Sequence, residues 1–392
     1  MTGDEDLRIL LFSSMITVLN GWASGFANID HQFIIVILVP KQQKKEYENA
    51  LVQFDWKTRP NVTLCPIFLE SPNEKLSNLL NPLKLFHDFR EIYRTLASHR
   101  PDAVIGIYVI HAYPLVLLKR LLGYTLFVMI AGGDVYLHQS LVWKIIRKII
   151  YSNSQVVFTV GHRLKAEIEQ ESNCRVMIIP PDFLDSEYFR PNDDTSLRRK
   201  YGLSASDFVV LTLSFLNERK RVNDVISAVR QLKNKHKNVK MLVAGDGPEK
   251  SNLMQLRDKL RLKETITFTG FVDEATKRDL FNIADVYVLV SHHEGLPVSL
   301  LEAMSCECIC VCSNVGDMPY VIQDSSNGFL IRPREPELLA TKIEEIMGRP
   351  TKELSTIRKR ARQTILEKYA SKEWTNYMID TIENETVNRR TA

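Results

Sequence analysis

The stretch Ser291–Ser313 reads SHHEGLPVSLLEAMSCECICVCS, and its pattern decides the fold class. Glu294 and Glu302 lie eight positions apart, with Gly295-Leu296-Pro297 between them and an apolar run behind. The order is that of a loop, a helix start, a short helix and a buried strand. Pro297 suits the first turn of a helix, where a missing N–H costs nothing. Leu300, Leu301 and Met304 then fall on one helical face. At about 1.5 Å rise per residue the two carboxylates end up on the order of 10 Å apart. That is too far for two groups sharing one proton, and it suits two groups holding opposite ends of one elongated polar ligand. The helix start between them offers unpaired N–H groups and a partial positive charge, which favour phosphate. Hydroxyls at both ends with phosphates in the middle describe a nucleotide-diphosphate sugar. An ordinary helix start with two exposed glutamates is the alternative reading of the segment alone.

Working outward, 392 residues are too many for one ordinary core and imply about two domains. The chain is 45% hydrophobic and 25% charged, the balance of a soluble globular protein. A net charge of +4 is too weak to point to a nucleic-acid partner. No run of about 18 apolar residues reads as a membrane span. Met1–Asp6 is acidic and polar, which reads against a signal peptide and for a cytoplasmic location. Cys306, Cys308, Cys310 and Cys312 alternate, so one strand would turn them mostly to one face. Buried small thiols explain that pattern better than a metal site, and no metal is expected.

The rest of the chain alternates strands and helices. Strands are expected at Arg8–Ser14, Phe33–Pro40, Asn61–Phe68, Pro101–Ile110, Thr125–Ile130, Val156–Val160 and Arg175–Pro181. Thr125–Ile130 delivers Ala131-Gly132-Gly133-Asp134 to a loop at a strand's carboxyl end, where α/β sheets bind ligands. No G-x-G-x-x-G follows the first strand, which weakens a dinucleotide-cofactor reading. Leu141–Tyr151 (LVWKIIRKIIY) is a basic amphipathic helix. It reads as core-packed with a solvated basic face, with contact to a membrane surface as the other reading. The second half places strands at Phe208–Leu213, Val239–Ala244, Ile266–Phe268 and Val286–Val290, with a helix at Lys277–Ala284. The expected architecture is α/β: two doubly wound, Rossmann-like domains facing each other across a cleft.

Glu294-Gly-Leu-Pro-Val-Ser-Leu-Leu-Glu302-Ala-Met resembles the E-x7-E signature of retaining glycosyltransferases of the GT-B fold, the large family four above all. Further family motifs match in order: RPDAVIG, AYP, LLG and GGDV in the first half, then GDGP (245–248), FTGFV (268–272), IADVYV (283–288), NVGDMP (314–319) and NGFLI (327–331). The resemblance implies that Glu294 holds donor-sugar hydroxyls and Glu302 the nucleotide ribose, with Gly295, Leu296 and Pro297 lining the same donor site. Lys220 matches the family's phosphate-binding lysine. The Gly-Arg pair five positions ahead is Ser214-Phe215 here, so the phosphate Arg is missing, and Arg219 or Arg221 is left to replace it. Gly245 and Gly247 would let backbone approach a ligand, Phe271 and Val272 would lie near the base, and Gly316 would present backbone N–H groups. Gly132, Gly133 and Asp134 would face the cleft from the acceptor side. The resemblance also implies a first domain over 1–195, a second over 196–369, and a final helix at about 370–392 that returns to the first, with Trp374, Tyr377 and Met378 on its packing face. Ala131 stands where many relatives carry His, and Tyr320 where many carry Glu.

The activity so implied is retaining transfer from a UDP- or GDP-sugar to a glycan, a lipid-linked or a small-molecule acceptor, with no obligatory cofactor or metal. A cell-surface polysaccharide or lipid-linked glycan is the family's commonest use, and the location expected for this chain is cytoplasmic, with the inner face of the membrane as the other reading. Phe215, Ala131 and Tyr320 motivate the alternative, a non-catalytic GT-B subunit or nucleotide-sugar-binding protein. A sugar-nucleotide epimerase is a third reading, disfavoured by the family-four motifs.

Overall fold

The computed structural model describes residues 6–13, 31–40, 44, 61–69, 82–130, 135, 140–179, 184–192, 196–369 and 373–391. The chain divides into two compact units, Met1–Phe183 with Lys372–Ala392, and Leu184–Ser371. Leu184 and Phe189, which the sequence reading put ahead of a boundary at 195, pack in the core of the second unit.

The first unit is built on β1 (Arg8–Ser13), β2 (Gln32–Pro40), β3 (Val62–Leu69), β4 (Ala103–Ile107), β5 (Thr125–Ile130), β6 (Val156–Thr159) and β7 (Val176–Ile178). They pair in the order β3-β2-β1-β4-β5-β6-β7, all parallel. Near-continuous apolar strands are what a sheet covered on both faces requires. Alternate residues serve the two faces: Leu10, Phe12, Ile34 and Val36 pack on one side, and Ile9, Leu11, Phe33 and Ile35 on the other. The helices Pro82–His99, Val109–Leu122, Leu141–Asn153 and His162–Glu171 cover the first side.

The helix Glu373–Thr391 covers the second side with Met378, Ile379 and Ile382, each buried. Tyr377, expected on its packing face, is exposed instead, because the turn that buries Met378 carries its neighbour outward. Burial of each such aliphatic side chain contributes about 1.5–3 kcal/mol before conformational entropy is charged against it. Polar ties fix the helix further: Glu383 meets His31, Glu385 meets Arg175 and Gln155, and Arg390 meets Asp102.

The second unit carries β8 (Phe208–Leu213), β9 (Val239–Ala244), β10 (Ile266–Gly270), β11 (Val286–Leu289), β12 (Ile309–Ser313) and β13 (Phe329–Ile331). Their order is β10-β9-β8-β11-β12-β13, again all parallel. The chain reverses its direction of travel across the sheet between β8 and β11, so the loops leaving these two neighbours part at their carboxyl ends. That is where open α/β sheets form a ligand crevice.

Several expected elements end elsewhere, each for a local reason. β4 stops at Ile107 rather than Ile110, because Tyr108 takes φ 69° and the next helix begins at Val109. The helix expected from Lys277 starts at Glu274, since the Asp273 side chain caps it by accepting from the Thr276 N–H at 2.8 Å. β7 covers only Val176–Ile178 of the expected Arg175–Pro181. The four cysteines do not share one strand. Cys306 ends the preceding helix, Glu307 turns the chain with φ 59°, and only Cys310 and Cys312 lie in β12. All four are buried in one core cluster nonetheless. Burial pushes each of their thiols well above the usual cysteine range.

Candidate active site

The site is assembled in the second unit from the loops at the switch point between β8 and β11. The loop after β8 runs into a short 3-10 turn, Glu218–Lys220, capped by the Asn217 side chain, which accepts from the Lys220 N–H. The loop after β11 carries Ser291–Pro297, and His292 N–H donates to the Arg219 carbonyl at 2.8 Å, joining the two loops. Glu294 is delivered between them and is only 4% exposed. Lys220 Nζ lies 2.7 Å from its Oε1 and Arg219 Nη1 3.1 Å from its Oε2. One buried carboxylate thus holds two cations at the carboxyl ends of the central strands.

Arg221, the other residue the sequence left open, points elsewhere. It adopts φ 53° and binds Asp224 through two contacts of 2.9 and 2.8 Å. Arg219 therefore shares the site with Lys220, and Arg221 serves the start of the helix Val222–Lys235.

The helix after the loop is Val298–Ser305, with extended Pro297 at its N-cap and no side chain capping it there. Leu300, Leu301 and Met304 are buried as their spacing predicts. Glu302 is also buried, at 4% exposure, and so is not the exposed helix glutamate of the alternative reading. Its partner is Lys277, whose Nζ sits 2.6 Å from Oε1. Lys277 also reaches Glu274 at 2.9 Å and lies over the Phe189 ring, 5.0 Å from its centroid. Burial pushes the Glu302 carboxyl up and Lys277 pulls it back, leaving it above the ordinary value. Burial lowers the Lys277 ammonium, but Glu302 and Glu274 more than offset this and hold it raised. Sequence reasoning missed Lys277: it lies on another helix, 25 positions before Glu302, and no local motif links them.

Glycines complete the floor. Gly245 takes φ 127°, and a Cβ there would sit 1.9 Å from the Ser214 carbonyl oxygen. Gly316 takes φ 59°, and its Cβ would meet the Glu294 carbonyl oxygen at 2.1 Å. Only glycine lets these turns pack against the two site loops. Gly247 likewise lies against the Leu216 carbonyl, and Asp317 N–H donates to the Gly295 carbonyl at 3.1 Å. Leu296 and Val272 are half-buried against the core, and Pro297 is buried. Phe271, after β10, is 83% exposed, and Phe215, after β8, is 61% exposed. Tyr320 is exposed. His111 is a packed histidine: burial lowers it to about 4, with its Nδ1 against the Ile107 carbonyl. Ala131, Gly132, Gly133 and Asp134 lie outside the described residues. Among the described residues no three acidic, histidine or cysteine side chains gather as metal ligands.

Residues 193–364 match the family model described as glycosyl transferases group 1. The match spans most of the second unit and none of the first. Curated relatives agree. N-acetyl-alpha-D-glucosaminyl L-malate synthase of Bacillus anthracis is 29% identical over 221 residues, 56% of each chain. The phosphatidylinositol N-acetylglucosaminyltransferase GPI3 subunit of Saccharomyces cerevisiae is 26% identical over 50% of this chain and 42% of its own. The chain spans little more than half the length of the first of these relatives. The solved structure of Anabaena HepE with UDP superposes with a TM-score of 0.79, covering 97% of this chain and 100% of that one. At 17% identity that likeness bears on the fold alone. The fold is GT-B, with two doubly wound Rossmann-like units.

Proposed function

We propose that this chain is a glycosyltransferase of the glycosyl transferases group 1 family, active in moving a sugar, with retention, from a nucleotide-diphosphate sugar to a glycan, lipid-linked or small-molecule acceptor. One observation carries the proposal: buried Glu294 grips Lys220 and Arg219 at the β8/β11 switch point, one helix start away from buried Glu302. The two cations stand ready for a diphosphate, and charge-assisted hydrogen bonds to it would strengthen as the leaving group gains charge. Arg219 takes the duty of the phosphate Arg replaced by Phe215. Glu294 would accept from donor-sugar hydroxyls and Glu302 from the ribose diol. Exposed Phe271 offers its ring to the base. The named complex of HepE with UDP makes UDP the first nucleotide to test, ahead of GDP.

A thermal-shift panel of UDP, GDP, ADP and their sugars on the full chain tests donor binding, and release of nucleoside diphosphate tests turnover. Stabilisation by one nucleotide, lost in Glu302→Ala, and slow release from its sugar are expected. Binding without release, with every acceptor class supplied, would leave a nucleotide-sugar-binding subunit in place of the enzyme. An inverted anomer in the product would overturn retention.

A further inference from the structure

In the first unit, the helix Leu141–Asn153 buries Trp143, Arg147, Ile150 and Tyr151. Arg147, the cation at its centre, is fully buried and bound to Glu171 at 2.5 Å. The face turned away from the sheet is therefore not simply basic. It exposes Leu141 (74%), Val142, Ile145 and Ile149, interleaved with exposed Lys144 and Lys148. The neighbouring helix Val109–Leu122 packs alongside, tied by Lys119 Nζ to the Asn153 carbonyl at 2.6 Å. It adds exposed Leu117 with Arg120, whereas exposed Leu121 turns toward Leu96 and Ala97 on its other flank. Neither helix contains an acidic residue. Exposed aliphatic side chains gathered on one face call for a partner.

We propose that this two-helix face lies on an anionic lipid bilayer, with Leu117, Leu141, Val142, Ile145 and Ile149 entering the headgroup–acyl boundary. Arg120, Lys144 and Lys148 then meet lipid phosphates. The charge pattern selects this occupant. A second copy of the same face would set cation against cation, whereas the inner surface of a membrane supplies negative charge along the whole patch. Apolar contact and cation attraction act together, and lysine stems reach outward while their heads stay at the phosphate level. The face lies outside the donor site, so the proposal stands whether or not the chain turns over.

Flotation of the full chain with vesicles of phosphatidylcholine alone, and of phosphatidylcholine mixed with phosphatidylglycerol, tests it. Binding to the mixed vesicles only, weakening as salt is raised, is expected. Lys144→Gln and Lys148→Gln should each weaken binding about five-fold. Ile145→Glu with Ile149→Glu should abolish it while leaving the UDP-induced thermal shift of the second unit unchanged. Ile145→Ser with Ile149→Ser supplies a milder variant should the charged pair unfold. No flotation, or flotation indifferent to these substitutions, would overturn the proposal. So would a concentration-dependent dimer that the same substitutions dissolve, which would assign the face to a second copy, or a retained protein partner without lipid binding.

Discussion

Replacing Lys277 with Met removes the cation that faces Glu302 while keeping much of its apolar bulk. In the folded protein burial already raises the Glu302 carboxyl, and Lys277 holds it down in part. Without the ammonium, the charged form is left in a pocket that exposes 5% of its side chain, with the acidic Glu274 still close by. Breaking a buried ion pair costs about 3–5 kcal/mol when the remaining charge must stay. Glu302 has an escape, since it can take a proton. Starting from an ordinary 4.5, protonation at pH 7 costs about 3 kcal/mol, and at pH 5 less than about 1 kcal/mol. The loss relative to wild type is therefore capped near those values.

The direction in pH is set by proton binding. A carboxyl raised on folding makes the native state bind more protons than the unfolded one, so stability is greatest below the unfolded value and falls as pH rises through the folded one. Lys277→Met moves the folded value further up, so the window of loss extends to higher pH. Urea denaturation at pH 5 and pH 8 reads this as a deficit that grows with pH. Ribose binding should move with it: the protonated carboxyl accepts one hydroxyl poorly, so the affinity of Lys277→Met for UDP should rise with pH while that of wild type stays flatter. Lys277→Arg should restore both. A deficit equal at pH 5 and pH 8 would assign Lys277 a packing role and refute the electrostatic one.

Other outcomes follow from the same site. Arg219→Ala should weaken UDP binding about tenfold or more through a lost charge-assisted bond, whereas Arg221→Ala should leave affinity alone and cost about 1 kcal/mol of stability by freeing Asp224. Isothermal titration beside urea unfolding separates the two. Gly316→Ala should destabilise by about 3 kcal/mol or more, because the left-handed turn and the Glu294 carbonyl leave no room for Cβ; a melting temperature equal to wild type would contradict that packing. In native protein only Cys65 and Cys174, both half-buried, should react with a thiol reagent, and Cys306, Cys308, Cys310 and Cys312 only on unfolding. Early labelling of more than two thiols would show the core cluster to be open.

The spacing of Glu294, Pro297 and Glu302 and the apolar runs of the strands were enough to read two parallel α/β sheets and a helix start at Pro297 between the two glutamates. Those features are local: a side-chain period of two or 3.6, a proline at a turn and a motif of eleven residues are written in neighbouring positions. What the sequence left open was decided by contacts between distant segments. Nothing local tells Arg219 from Arg221 until the loop after β11 brings Glu294 to one and Asp224 claims the other. Nothing local joins Lys277 to Glu302, because a lysine on one helix meets a glutamate on another only once both pack on the same sheet. The basic helix Leu141–Asn153 reads as core-packed with a solvated basic face, yet folding turns its central Arg147 inward to Glu171 and leaves aliphatic residues outside. Periodicity gives a helix two faces, and only the packing of its neighbours chooses which of them is buried.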